Sequence, residues 1–271
     1  MVSVTQTSTP YTREVVLASG DVIGLRWAGA TDRGRRRENN QDAFLAEYPL
    51  FVVADGMGGH AGGEIASQRT IARLQESVEA GEITSPAIEQ ALASAVEDIA
   101  EHPETTDEGT GTTLTGVFLA LGPDEPRWVS LNIGDSRVYL LRDGALKQIT
   151  TDHSVVQELI AAGRLSPEEA EGHPYSNVIT RAVGVSEAAP PDYREFAVRD
   201  GDRFVICSDG LTKELTDYGI QHFLNQHSEA STAVDAMLEA ALENGGRDNV
   251  TLIVLDVTRH PASSTAASEA E

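Results

Sequence analysis

Apolar residues fall along this chain in two different patterns. Around Gly63–Glu79 and Ala87–His102 they return every three or four positions (Ile71, Leu74, Val78; Ile88, Leu92, Val96, Ile99), which predicts two helices in succession. Short apolar runs bounded by turn formers predict strands at Val22–Ala28, Ala43–Ala46, Leu50–Ala54, Thr112–Ala120, Arg127–Ile133, Arg137–Arg142 and Leu146–Thr150. Asp143-Gly144 reads as the turn of a hairpin between the last two. A helix at Val155–Ala162 follows, then a short one opened by Ser166 as cap with Pro167 at its first position. Strands resume near Glu195–Val198 and Phe204–Cys207, and helices at Asp217–Asn225 and Ser231–Asn244 precede a last strand, Asn249–Val257. Runs of strands separated by helix pairs predict an α+β fold.

At 271 residues the chain can bury one large core. The expected division is an N-terminal tail with the entry to the first strand (1–20), one domain (21–258) and a C-terminal tail (259–271). Thr151–Gly184 is polar and poor in strand signals, and reads as a flap beside the main body. No apolar run approaches a membrane span, the first ten residues lack the charge and apolar core of a signal peptide, and the single cysteine excludes an internal disulfide. A cytoplasmic monomer is the expectation. The net charge of −23 argues against a nucleic-acid partner, and it means that any anionic substrate needs local cations to overturn the mean field.

The candidate chemistry lies in three blocks: Asp55-Gly56-Met57-Gly58-Gly59, Ser208-Asp209-Gly210 and Arg247-Asp248-Asn249. Each sets an aspartate at or beside the end of a strand-like run, where its direction is fixed and glycine permits close approach. Singly, these are ordinary turn dipeptides. Together they would form an oxygen-rich site suited to Mg²⁺ or Mn²⁺. Cys207 lacks the arginine that a cysteine-dependent phosphatase needs downstream and reads as a core thiol. The glycine-rich stretch from Gly56 to Gly63 lacks the ending of a P-loop.

Further elements stand in order around these blocks: Thr31-Asp32-Arg33-Gly34 with Arg37-Glu38-Asn39-Asn40-Gln41-Asp42, Gly111-Thr112-Thr113, Gly134-Asp135-Ser136-Arg137, Asp152-His153-Ser154, Thr180-Arg181-Ala182-Val183-Gly184 and Asn249-Val250-Thr251. The whole constellation resembles the metal-dependent serine/threonine protein phosphatases of the type 2C (PPM) family in their compact bacterial form. The resemblance implies a four-layer α-β-β-α sandwich of two antiparallel sheets flanked by helix pairs, with a flap. It implies hydrolysis of phosphoserine and phosphothreonine by a water bridging two Mn²⁺ or Mg²⁺ ions, in opposition to bacterial serine/threonine kinases, which would themselves be among the substrates. By the same resemblance Asp55 bridges the ions, the Gly56 carbonyl holds one, and Asp209 and Asp248 hold the other. Asp42 orients a metal-bound water, and Arg37 grips the phosphate. Asp135 matches the ligand of a third, weaker ion, shared with Asp209, or else is a turn residue; Asp32 reads as a turn or cap. Arg35 and Arg36 read as solvated or substrate-steering. Gln41 stands where many relatives have glutamate, and Met57 where many eukaryotic members place the histidine that protonates the leaving group, so the proton donor is open between His60, His153 and neither. Two other readings stay open: a non-catalytic phosphoprotein-binding regulator, and a phosphatase of an anti-anti-sigma factor.

Overall fold

The computed structural model of the chain describes residues 6–7, 10–58, 61–102, 109–122, 125–170, 172–185 and 190–261. Strands β1 (Gln6–Thr7) and β2 (Tyr11–Val16) lie one after the other along the edge of β3 (Val22–Asp32). A hairpin, β4 (Asp42–Glu47) and β5 (Leu50–Met57), is followed by helices α1 (Gly62–Glu79) and α2 (Ser85–Glu101). Next come β6 (Gly111–Thr112), β7 (Leu114–Ala120), β8 (Arg127–Ile133), β9 (Arg137–Arg142) and β10 (Ala145–Gln148). Short helices α3 (Val155–Ala161) and α4 (Pro167–Ala170) precede β11 (Asp192–Ala197) and β12 (Arg203–Cys207). The chain then forms α5 (Asp209–Thr212), α6 (Asp217–Gln226), α7 (Ala230–Asn244) and the long final strand β13 (Val250–His260).

These strands build two antiparallel sheets. One runs β1-β3-β13-β12-β9-β10 with β2 also on β3, and the other β11-β8-β7-β5-β4 with β6 on the end of β5. Side-chain alternation explains why the sheets stack. On β12, Phe204 and Ile206 point to one face and Val205 and Cys207 to the other; on β13, Ile253 and Leu255 oppose Leu252 and Val254; on β5, Phe51 and Val53 oppose Leu50, Val52 and Ala54. Phe204, Ile206, Ile253, Leu255, Phe51 and Val53 share one core between the sheets, where Trp128 meets Phe204 edge-on with ring centroids 5.1 Å apart. The outer face of the first sheet packs on α5–α7, and that of the second on α1 and α2. Each large apolar side chain so enclosed contributes roughly 1.5–3 kcal/mol. The result is the expected α-β-β-α order.

Local signals behave as their chemistry dictates. Asp143 and Gly144 both take positive φ (53° and 76°), as the tight hairpin turn requires. Ser166 and Glu169 exchange reciprocal hydrogen bonds at the start of α4, a capping box. The strand boundaries differ in instructive ways. Leu50–Ala54 continues through Asp55 to Met57, because β6 supplies backbone partners to Gly56 and Met57. Gln6–Thr7, read from sequence as tail, is strand, and the last strand runs on to His260 because β3 offers partners as far back as Val22. The rest of the C-terminal tail, 262–271, lies outside the described residues.

Candidate metal centre

Strand parity places the first two carboxylates. Asp55 follows Phe51 and Val53 on the inner face of β5, and Asp42 is its direct cross-strand partner on β4, so both side chains leave the same side of the sheet where the apolar filling ends. The opposite sheet brings Asp209, at the start of α5 just past β12, and Asp248, just before β13; these two strands are antiparallel neighbours. Asp135 sits in the link from β8 to β9, which passes from one sheet to the other. The five carboxylates named from sequence are therefore gathered in one place: Asp42, Asp135, Asp209 and Asp248 each add charge repulsion at Asp55, whose carboxyl burial already pushes well above the usual range.

Burial likewise raises Asp42 to about 7, against hydrogen bonds that favour its charged form and with repulsion from Asp209 and Asp248. Asp135 is raised to about 7 by burial, then by Asp209 and Asp152. Asp209 is raised as well, burial outweighing Lys213. Asp248 goes the other way, because Lys213 and Arg37 together overcome the cost of its burial. So much negative charge out of water needs a compensating cation. Two buried oxygens, Asp42 Oδ1 and Asp209 Oδ1, have no hydrogen-bond partner, and these hard anionic donors suit a divalent cation.

Glycine makes the approach possible. A Cβ on Gly56 would fall 2.1 Å from the Gly63 carbonyl oxygen and 2.5 Å from that of Gln41, so only glycine fits where Gly56 N–H donates to Gln41 O at 3.1 Å. The surrounding polar groups fix the carboxylates in direction. Ser208 Oγ donates to Asp42 Oδ2 (2.8 Å) and accepts from Thr251 N–H; Thr113 Oγ1 accepts from Asp55 N–H (3.0 Å). Asn249 accepts from Gln41 N–H and donates to the Arg33 and Asn39 carbonyls, pinning the loop that carries Arg37.

Arg37, half exposed, forms a two-pronged ion pair with Asp248: Nε to Oδ1 at 2.8 Å and Nη2 to Oδ2 at 2.9 Å. Lys213 reaches both Asp209 Oδ2 (2.5 Å) and Asp248 Oδ2 (2.8 Å). With these cations in place, no three His, Cys, Asp or Glu side chains among the described residues are grouped as a ready ligand set for one ion. The roles read for the other residues divide. Asp32 accepts from Gly34 N–H at 2.7 Å, the turn role expected of it. Arg35 is not simply solvated: its Nε donates to Leu242 O at the end of α7 (2.8 Å). His153 is buried, with Nδ1 accepting from Gly134 N–H (3.2 Å) and Nε2 3.1 Å from Asp192 Oδ2, so it braces the turn that carries Asp135, with both ring nitrogens engaged. His60 lies outside the described residues. Sequence reasoning missed Lys213; its one signal was a cation four residues after Asp209, on the same helical face.

Asp135, Asp209 and Lys213 open into a cleft of about 800 Å³ whose other wall is the flap, including Ser154, Gln157 and Asn177. Two sandwiched sheets thus carry a carboxylate cluster at one end, beside a flap-walled cleft, the arrangement that the resemblance to metal-dependent type 2C phosphatases implied. The family profile of protein phosphatase 2C matches residues 31–244, and the chain belongs to that family. It is 42% identical over 246 residues to the serine/threonine protein phosphatase PstP of Mycobacterium tuberculosis, covering 89% of this chain but 46% of that protein, so the chain spans about half the length of that relative. It is 33% identical over 239 residues to the serine/threonine phosphatase Stp of Listeria monocytogenes, covering 83% of this chain and 93% of that one. The crystal structure of the Mycobacterium tuberculosis phosphatase PstP/Ppp matches with a TM-score of 0.76 at 40% identity, over 86% of this chain and 99% of that chain. A structure of the PstP catalytic domain, with the same TM-score of 0.76, contains two manganese ions.

Proposed function

We propose that this chain is a protein serine/threonine phosphatase that hydrolyses phosphoserine and phosphothreonine on proteins with two divalent cations, Mn²⁺ or Mg²⁺. The observation that carries the reading is the cluster of Asp42, Asp55, Asp135, Asp209 and Asp248 at the end of the sandwich, with buried oxygens of Asp42 and Asp209 left without partners. Asp55, the Gly56 carbonyl, Asp209 and Asp248 would hold the two ions, and Asp135 with Asp209 a third. Ions held there would supply a water of lowered pKa as the nucleophile and neutralise charge on the phosphoryl group.

The protein's own groups do the rest. Asp42, held by Ser208 and paired across the strands with Asp55, would orient a metal-bound water. Arg37 offers two parallel N–H donors to phosphate oxygens, the geometry it now spends on Asp248. The cleft between flap and α5–α6 receives the chain on either side of the phosphoresidue. In this reading the substrates are proteins phosphorylated by serine/threonine kinases, the kinases among them, in the cytoplasm; among the described residues no helix is long and apolar enough to cross a membrane. The manganese-bound PstP catalytic domain supports the choice of metal.

The test is hydrolysis of p-nitrophenyl phosphate and a phosphothreonine peptide by wild type and Asp209→Asn, with Mn²⁺, with Mg²⁺ and with chelator. Turnover that requires metal and disappears in the variant is expected. Absence of turnover in folded, Mn²⁺-loaded wild type would instead support a phosphoprotein-binding regulator.

A further inference from the structure

We propose that Lys213 is a tethered cation that occupies the Asp209–Asp248 pair in the metal-free protein and must leave when an ion binds there. The inference rests on reading Asp209 and Asp248 as metal ligands. Its geometry is independent of that reading.

Lys213 follows the single turn of α5, and its N–H donates to Asp209 O at 2.8 Å. That bond sets residues 209 and 213 on one helical face, so the lysine stem runs back along the turn toward the carboxylate. The ammonium joins two carboxylates from different strand ends at 2.5 and 2.8 Å, which is where charge compensation between them is most needed. Asp248 is otherwise saturated: Arg37 donates to both its oxygens, and Asn249 N–H donates to Oδ1 at 2.9 Å. Asp209 Oδ1, by contrast, is buried and bare. An incoming ion thus finds one open oxygen on Asp209, while Asp209 Oδ2 and Asp248 Oδ2 are each held by the Lys213 ammonium.

Displacement is sterically simple. Lys213 lines the cleft of about 800 Å³ together with Asp135 and Asp217, so a flexible four-carbon stem has space and acidic neighbours to turn to. Its charge already acts on Asp135. Arg37 is the alternative group to move, but the Asp209 contact belongs to Lys213 alone among the described cations. Lysine and metal therefore contend for the same oxygens, and linkage requires that removing one strengthen the other.

The experiment is calorimetric titration of Mn²⁺ into metal-free wild type, Lys213→Met, Lys213→Gln and Lys213→Arg, with melting temperatures measured without and with Mn²⁺. Wild type is expected to bind two ions unequally. In Lys213→Met and Lys213→Gln the weaker site tightens about tenfold, the metal-free melting temperature falls, and the gain on adding Mn²⁺ grows; Lys213→Arg stays near wild type. Two ions bound with the weaker affinity unchanged or reduced in both neutral variants overturns the role of Lys213 alone. No Mn²⁺ uptake by wild type overturns the metal assignment itself, and this inference with it.

Discussion

Gly210→Ala should separate the two halves of the site without unfolding the protein. Gly210 follows Asp209 directly, and a Cβ there would fall 1.8 Å from the Asn249 carbonyl oxygen and 3.4 Å from the Asp248 Cβ. Relief to an ordinary contact distance of about 3.4 Å moves the Asp209 turn and the Asp248–Asn249 segment apart by about 1.5 Å, since both contacts are backbone or near it. Overpacking of this kind costs about 1–3 kcal/mol, which in a chain of this size lowers the melting temperature by roughly 2–12 °C. Misplacement of about 1 Å in a catalytic geometry costs on the order of 100-fold in rate. The assay is kcat/KM on a phosphothreonine peptide at saturating Mn²⁺, with the melting curve and Mn²⁺ affinity from the same preparation. Gly219→Ala is the control: its nearest neighbour would be Thr216 Oγ1 at 3.7 Å, in the first turn of α6, so it should be neutral or stabilise by up to about 1 kcal/mol with full activity. A Gly210→Ala protein with wild-type kcat/KM and Mn²⁺ affinity would refute the claim that this glycine sets the Asp209–Asp248 spacing.

Three further outcomes can be checked. Asp42 has its folded pKa raised from 3.8 to about 7, so the folded protein holds that proton more tightly than the unfolded chain; its stabilisation is complete below about pH 4 and lost as pH rises toward 7. Asp42 should therefore contribute up to about 4 kcal/mol to what metal-free wild type loses across that window, and Asp42→Asn should lose correspondingly less, as measured by urea unfolding against pH; equal slopes would contradict the shift. Cys207 is fully enclosed and its thiol is pushed up to about 12, so a thiol reagent should label it only after unfolding, and Cys207→Ala should keep metal-dependent turnover; rapid native labelling would contradict the packing. Arg37→Ala should lower kcat/KM for p-nitrophenyl phosphate by about 10–100-fold with little change in melting temperature, Arg37→Lys recovering only part, because a guanidinium grips two oxygens and an ammonium one. A fully active Arg37→Ala would remove the phosphate-binding role.

The fold was legible wherever one residue's environment follows from its own strand or helix. Continuous apolar runs such as Phe204–Cys207 and Leu50–Ala54 marked strands, which the structure buries on both faces, and the helix pair from Gly63 to His102 was plain from its spacing. Illegible were the features that need a distant partner. The strand continues past Ala54 to Met57 because Gly111 and Thr112, more than fifty residues away, supply its hydrogen bonds, and Gln6–Thr7 is strand because β3 has an open edge there. The site divides in the same way. That Asp55, Asp209 and Asp248 stand at strand ends could be read from their turn-forming neighbours. What surrounds them could not, because it depends on which strand ends meet. His153 sits in a motif beside the site, yet its ring is committed to Gly134 and Asp192. Arg35 and Arg37 belong to one cationic run, but one closes the end of α7 and the other holds Asp248. That split bears on how so acidic a protein would handle the anionic substrate proposed for it. With a net charge of −23 and five carboxylates at the site, attraction for phosphate cannot come from the overall field. It must come from cations placed at bonding distance. The nearest of these, Arg37 and Lys213, are paired with Asp209 and Asp248, so in the proposed function phosphate binding would wait on a metal that takes those carboxylates over.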